Sequence, residues 1–223
     1  GLAEKINKIG MKFGLWFEPE MISPDSDLYR EHPDWAIHID EREGVQSRNQ
    51  MVLDLSRDEV CEYVINAVSD ILANANIEYV KWDMNRQLTD MPRLGYNHEY
   101  TLGYYKIMSA ITEKFPNILF EGCSAGGGRF DAGVLAYMPQ IWTSDNSDAI
   151  ARLKMQYSTS MCYPVYSISS HVTASPNHQC GRVTSLKTRA DVAYCGTFGY
   201  ELDVTKMSDE EYKTLCVTVT CTD

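Results

Sequence analysis

The chain has 223 residues, 44% of them hydrophobic and 23% charged, which allows one globular domain with a full core. Its net charge of −11, with Lys and Arg scattered, excludes the basic stripe that a nucleic-acid partner requires. No apolar run approaches the roughly 18–20 residues that span a bilayer, so no membrane partner is expected either.

In chain order, residues 1–6 read as the middle of a helix, and the first strand is Lys12–Phe17, stopped by Glu18-Pro19. From Asp58 to Ala75, apolar residues spaced by three and four (Val60, Val64, Ala67, Val68, Ile71, Leu72, Ala75) predict a helix with one buried stripe. It feeds into a strand, Ile77–Trp82. A second helix over Tyr100–Phe115 carries Leu102, Tyr105, Met108, Ile111 and Thr112, and Asn117–Gly122 is the next strand. A glycine-rich run, Ser124–Gly128, precedes the strand Pro139–Trp142, and Asp148 opens a helix reaching Tyr157. Cys162–Ile168 and Ala193–Phe198 are strand candidates, with helix over Leu186–Asp191 between them. The helical start Asp209–Lys213 is followed by β-branched residues up to Cys221, where the helix pattern breaks. Alternating strands and helices predict a parallel sheet with crossover helices.

The fold class expected is therefore α/β, a partial (β/α)8 barrel. About six strands are visible, whereas closure takes eight and typically about 250 residues. The start without Met and the broken final helix read as a fragment of a larger enzyme. The seven cysteines, an odd number without CxxC spacing, indicate neither a zinc knuckle nor a disulfide framework. Free thiols and the lack of a secretory pattern at the start point to the cytoplasm.

Two aspartates sit where short apolar strands run out: Asp83 after Lys81-Trp82, and Asp145 after Trp142-Thr143-Ser144. Strand ends are where such a barrel displays its chemistry, and paired carboxylates suit sugar cleavage. Strand alternation puts Lys81, Asp83 and Asn85 on one side and Trp82 and Met84 on the other. The Lys81 ammonium is expected to keep Asp83 ionised. Asp148 directly precedes an apolar helix and is expected to cap it, which leaves the chemistry to Asp145. The glycines of residues 122–128 lack the Gly-Lys-Ser/Thr ending of a phosphate loop. They allow either close approach to a ligand or a flexible connection. Cys123 is expected to contact ligand or pack rather than act as a nucleophile. No histidine shows metal-ligand spacing, so no metal is expected. Ser169-Ser170-His171 lacks the GxSxG elbow of a hydrolase triad.

The stretch Lys12–Met21, with Ser23–Ser26 and His32–Trp35, resembles bacterial α-galactosidases of glycoside hydrolase family 36. So do Lys81–Arg86, Glu121–Asp131, Pro139–Asp145 and His171–Gln179. The resemblance implies a catalytic (β/α)8 barrel, of which this chain covers roughly strands three to eight. It also implies a β-sandwich before it and a small β domain after it, both absent here. It places the nucleophile at Asp83, the acid/base at Asp145, and sugar contacts at Trp16, Arg48, Lys81, Trp82, Asn85 and Cys123. It implies a retaining double displacement on terminal α-galactose, as in melibiose or raffinose, without cofactor or metal. Retaining chemistry holds the two carboxyls about 5–5.5 Å apart, with the acid's pKa raised by desolvation and by its partner's charge. A homo-oligomer is expected for the full-length protein. The alternatives are an α-N-acetylgalactosaminidase or galactosyl transferase of the same fold, or an inactive barrel remnant. The isolated 223 residues are expected to be inactive, because the acidic pair that orients the far hydroxyls lies outside them.

Overall fold

The computed structural model describes residues 1–220. The chain folds as two compact units, Gly1–Ala125 with Asp131–Pro139, and Gly126–Phe130 with the residues from Gln140 on. In the first, α1 (Leu2–Lys8) precedes β1 (Gly14–Phe17), and a short antiparallel pair joins β2 (Met21–Ile22) to β3 (Met51–Val52). Helix α2 (Asp27–Glu31) is capped by Ser26, whose hydroxyl accepts from Tyr29 N at 3.2 Å. Then follow α3 (Asp58–Asn74), β4 (Tyr79–Trp82), α4 (Tyr96–Lys114) and β5 (Leu119–Gly122). Strands β1, β4 and β5 pair in parallel, with Phe17 opposite Trp82 and Trp82 opposite Gly122. Their C-terminal ends therefore lie level.

The core of this unit lies between the strands and the two long helices. Val80 and Trp82 are fully buried on β4, as are Ile107, Met108 and Ile111 on α4. Each buried Ile or Met of this kind contributes about 1.5–3 kcal/mol relative to exposure. The α3 stripe is narrower than its sequence suggests. Val60, Cys61, Val64, Val68 and Leu72 face inward, while Ile71 is exposed. Helix α4 begins four residues earlier than expected and buries Tyr96, Tyr100, Tyr104 and Ile107, leaving Leu102 exposed. Gly103 explains this rotation. A Cβ there would stand 1.8 Å from the Leu55 carbonyl oxygen, so the helix turns its bare side to that backbone. The Cys61 thiol donates to the same oxygen at 3.1 Å, and burial pushes its pKa up to about 11.

The second unit holds β6 (Gln140–Trp142), α5 (Ala149–Ser160), β7 (Ile168–Thr173), α6 (Leu186–Ala193), β8 (Thr197–Glu201) and α7 (Asp209–Thr220). Its three strands are again parallel, Trp142 pairing with Ser169 and Thr173 with Glu201. Val172, Leu186, Ala190 and Ala193 form its core, with Phe198, Tyr200, Leu202, Met207 and Leu215 packed against them. Strand, helix and parallel return strand in both units give the α/β class of a partial (β/α)8 barrel.

Three sequence expectations are corrected here. Pro164 cannot donate to a ladder, and its carbonyl instead accepts the Ser167 amide and hydroxyl in a short 3₁₀ turn. The strand expected at Cys162–Ile168 therefore starts only at Ile168. Ala193 closes α6, packed in the core, so the last strand begins at Thr197 rather than Ala193. The β-branched residues after Leu215 continue α7 to Thr220 instead of breaking it, and Cys221 lies outside the described residues.

Gly103→Ala is expected to destabilise the protein by about 1–3 kcal/mol through overpacking against Leu55. Urea denaturation measures this, and a change within about 0.5 kcal/mol would show that α4 can shift without cost.

Candidate functional site

The level strand ends of the first unit gather a polar network around Asp83. The Asp83 amide extends the ladder by donating to Phe17 O at 2.8 Å, and the Cys123 amide does the same to Trp82 O at 2.8 Å. Both residues are thereby pinned just past their strands. Asp83 is buried, and its Oδ2 accepts two hydrogen bonds: from Trp16 Nε1 at 3.0 Å and from Asn85 Nδ2 at 2.9 Å. Its Oδ1 has no hydrogen-bond partner among the described residues. A buried carboxylate oxygen left so is costly unless a ligand uses it.

Glu18, just past β1, ties this network together. Its Oε1 accepts from Asn85 N at 3.2 Å and Asn85 Nδ2 at 2.8 Å, and lies 3.7 Å from Arg48 Nη1. Sequence reading took Glu18 only as a strand stop. The signal that could have found it was alternation, which puts Trp16 and Glu18 on one face of β1. Arg48 and Asn49 both adopt positive φ, 55° and 58°, at the tip of a two-residue hairpin closed by reciprocal Ser47–Gln50 hydrogen bonds. That is the geometry of a type I′ turn, which suits Asn or Gly far better than Arg.

Lys81 stands on β4, opposite Glu121 of β5. Its ammonium pairs with buried Glu121 at 3.1 Å, while the anchors of Asp83 are the Trp16 and Asn85 donors. Burial pushes the pKa of the Tyr79 phenol well up, and the charge of Glu121 and a hydrogen bond to it add to the shift. Trp82, expected as a substrate contact, belongs to the core. It is fully buried, its indole donates to Glu20 Oε1 at 2.8 Å, and its ring edge meets Tyr104. Strand alternation turns it toward α4, away from Lys81 and Asp83. Trp16 is half exposed, Asn85 half-buried and Cys123 buried.

In the second unit, Asp145 is exposed and follows β6. Trp142 Nε1 donates to its Oδ1 at 3.1 Å, and Gln179 Nε2 donates to its carbonyl at 2.7 Å. The desolvation expected of Asp145 is thus not supplied by burial within this unit. Asp148 is occupied as foreseen, capping α5 through Ala151 N at 3.0 Å, and it also pairs with Arg182 at 3.2 Å. The glycine run approaches protein backbone rather than forming a slack connection. A Cβ on Gly126 would meet Ser144 Cα at 2.9 Å, and one on Gly127 would meet Thr143 O at 2.7 Å. Among the described residues, no group of three His, Cys, Asp or Glu side chains is placed to hold a metal ion, and no helix is long and apolar enough to cross a membrane.

The family model described as Melibiase matches residues 1–223. The chain belongs to the melibiase family. Among melibiase relatives, it is 56% identical over 219 residues to alpha-galactosidase AgaA of Geobacillus stearothermophilus, covering 95% of this chain and 30% of that protein. It is 54% identical over 213 residues to the bifunctional alpha-galactosidase/sucrose kinase AgaSK of Mediterraneibacter gnavus, covering 94% and 23% respectively. The crystal structure of AgaA, a GH36 alpha-galactosidase, superposes with a TM-score of 0.96 at 54% identity, covering 99% of this chain and 32% of that one. A doubly substituted AgaA has been solved in complex with raffinose. The chain thus spans about a third or less of the length of these relatives.

Arg48→Gly is expected to stabilise the protein by about 0.5–1 kcal/mol, because glycine occupies the left-handed region without the penalty Arg carries. Urea denaturation tests it. A loss of stability would show that the Glu18 pair outweighs the backbone strain.

Proposed function

We propose that the complete protein is a retaining α-galactosidase that removes terminal α-linked galactose from oligosaccharides such as melibiose and raffinose. The observation that carries this is the disposition of Asp83. One carboxylate oxygen is fixed by the Trp16 and Asn85 donors, and the other has no hydrogen-bond partner among the described residues. Donors on Oδ2 orient the carboxylate, leaving Oδ1 to act as nucleophile. The alpha-galactosidase relatives and the raffinose complex of AgaA support the substrate class.

In this reading Oδ1 of Asp83 attacks the anomeric carbon while Asp145 protonates the departing glycosidic oxygen. The bond to the leaving group breaks and a covalent galactosyl ester forms. Asp145, now a carboxylate, takes a proton from water, and the hydroxide equivalent displaces Asp83 with net retention. Arg48, Lys81, Asn85 and Cys123 contact the sugar, and the half-exposed Trp16 offers its ring to an apolar sugar face. No step calls for a metal or redox cofactor. The proposal extends to a cytoplasmic homo-oligomer in which flanking β domains accompany the barrel. The free cysteines among the described residues suit a reducing compartment.

Asp83→Asn in the complete protein is expected to abolish formation of the galactosyl adduct trapped by a fluorinated galactoside. Retention of most of kcat, or trapping at the parent rate, would place the nucleophile elsewhere. Asp145→Ala is expected to cost about 10²–10⁴-fold on raffinose but far less on aryl galactosides with good leaving groups, which need no protonation. Added azide should then yield the α-linked azide, by attacking the β-galactosyl ester in the step that no longer has its base. Equal losses on all substrates, or the same pattern from Asp148→Ala, would overturn the acid/base assignment.

A further inference from the structure

Arg152 sits one turn into α5 and is buried, yet its guanidinium reaches toward the strand end that carries Asp145. Nη1 donates to the Ser144 carbonyl at 3.0 Å, the peptide that leads into Asp145. Nη2 donates to the Ser169 carbonyl on β7 at 2.5 Å. The guanidinium carbon lies 4.5 Å from the centre of the Trp142 ring, within cation–π range. That same indole donates to Asp145 Oδ1 at 3.1 Å. Two routes therefore run from one guanidinium to one carboxylate: through the backbone of residue 144, and through the tryptophan ring.

The guanidinium is itself held from behind. Nε donates to Gln156 Oε1 at 3.0 Å, an oxygen that also accepts from Ser170 Oγ at 2.8 Å. Gln156 Nε2 donates to Val192 O at 3.0 Å and Cys195 O at 3.2 Å, at the end of α6. The chain of bonds ties α6, α5, β7 and the end of β6 into one rigid path. Only a planar fork with N–H groups on several edges can bond two carbonyls and an amide oxygen while lying over a ring. A lysine ammonium keeps the charge but cannot reproduce that geometry.

We infer that Arg152 is a positioning residue for Asp145, fixing the Ser144 peptide and the Trp142 indole so that the carboxyl group meets the leaving-group oxygen. The inference rests on the reading of Asp145 as acid/base. A misplaced acid slows bond cleavage selectively when protonation of the leaving group matters, and misplacement by about 1 Å can cost on the order of 10²-fold.

The test compares Arg152→Lys and Trp142→Phe with Asp145→Ala in the complete protein. Active sites are counted by trapping with a fluorinated galactoside, so misfolded molecules drop out of the rates. Trp142→Phe keeps a ring under the guanidinium and removes only the N–H donor to Asp145. Both variants are expected to lose about 10²-fold in kcat on raffinose with KM little changed, and far less on an activated aryl galactoside. A purely structural role would lower the active fraction or hit both substrates alike, and that result overturns the inference. If Arg152→Lys yields no countable sites, Trp142→Phe alone decides by the same criterion. Should Asp145→Ala show no leaving-group dependence, the acid/base assignment itself fails. If Asp145→Ala shows it and neither variant does, the inference alone fails.

Discussion

Two backbone hydrogen bonds, from the amide of Asp83 to Phe17 O and from the amide of Cys123 to Trp82 O, set the level at which the first unit's polar groups meet. Parallel ladders are evenly spaced, so pairing Phe17 with Trp82 and Trp82 with Gly122 brings three chain segments out of the sheet at one height. The same register places Trp16 beside Lys81, two residues before Asp83, which is the offset its indole needs to reach Oδ2. A slip of one residue would turn Asp83 toward α4 and bring Trp82 to the mouth.

Around that register the protein uses carboxylates of one chemistry for several different tasks, and the partners distinguish them. Glu20 is wholly buried, bonded to the Trp82 indole and, at 2.6 Å, the Tyr100 hydroxyl, and it joins strand to helix. Glu121 neutralises Lys81 within the sheet, and Glu18 clamps Asn85 and Arg48. Asp148 uses its Oδ2 for both a helix start and an arginine. Asp83 and Asp145 each stand just past a strand and accept from a tryptophan N–H, at 3.0 and 3.1 Å.

Much of this was legible in the sequence because it is written in local patterns. The strand ends before Asp83 and Asp145 and the capping position of Asp148 each depend on a few neighbouring residues, and the structure places them as read. What the sequence hid depends on contacts between distant segments. Glu121, an ion-pair partner of Lys81, stands on the adjacent strand, 40 residues away, where no local rule finds it. The inward turn of Trp82 follows from alternation, but its neighbour Asp83 made it look like part of the site. Strand β7 escaped because Ser169, Ser170 and His171 are polar. They are accommodated by Gln140, Gln156 and Glu201 through hydrogen bonds that no hydrophobic count anticipates. The I′ turn at Arg48-Asn49 carried no Asn-Gly signature, since Arg occupies the place of the usual residue.

The glycine pair at 126 and 127 has a further meaning for how this scaffold can change. Both positions are spoken for by backbone of residues 143 and 144, with Gly126 also at positive φ, so neither can acquire a side chain without moving the segment that leads to Asp145. Variation in this loop is therefore channelled into Ser124, since Ala125 also holds a positive φ. There the Ser124 hydroxyl merely bonds the Met84 carbonyl at 3.2 Å. Substitutions in a diverging lineage would gather at Ser124 and be silent at 126 and 127, because geometry has made one position of a single loop evolvable and its neighbours inert.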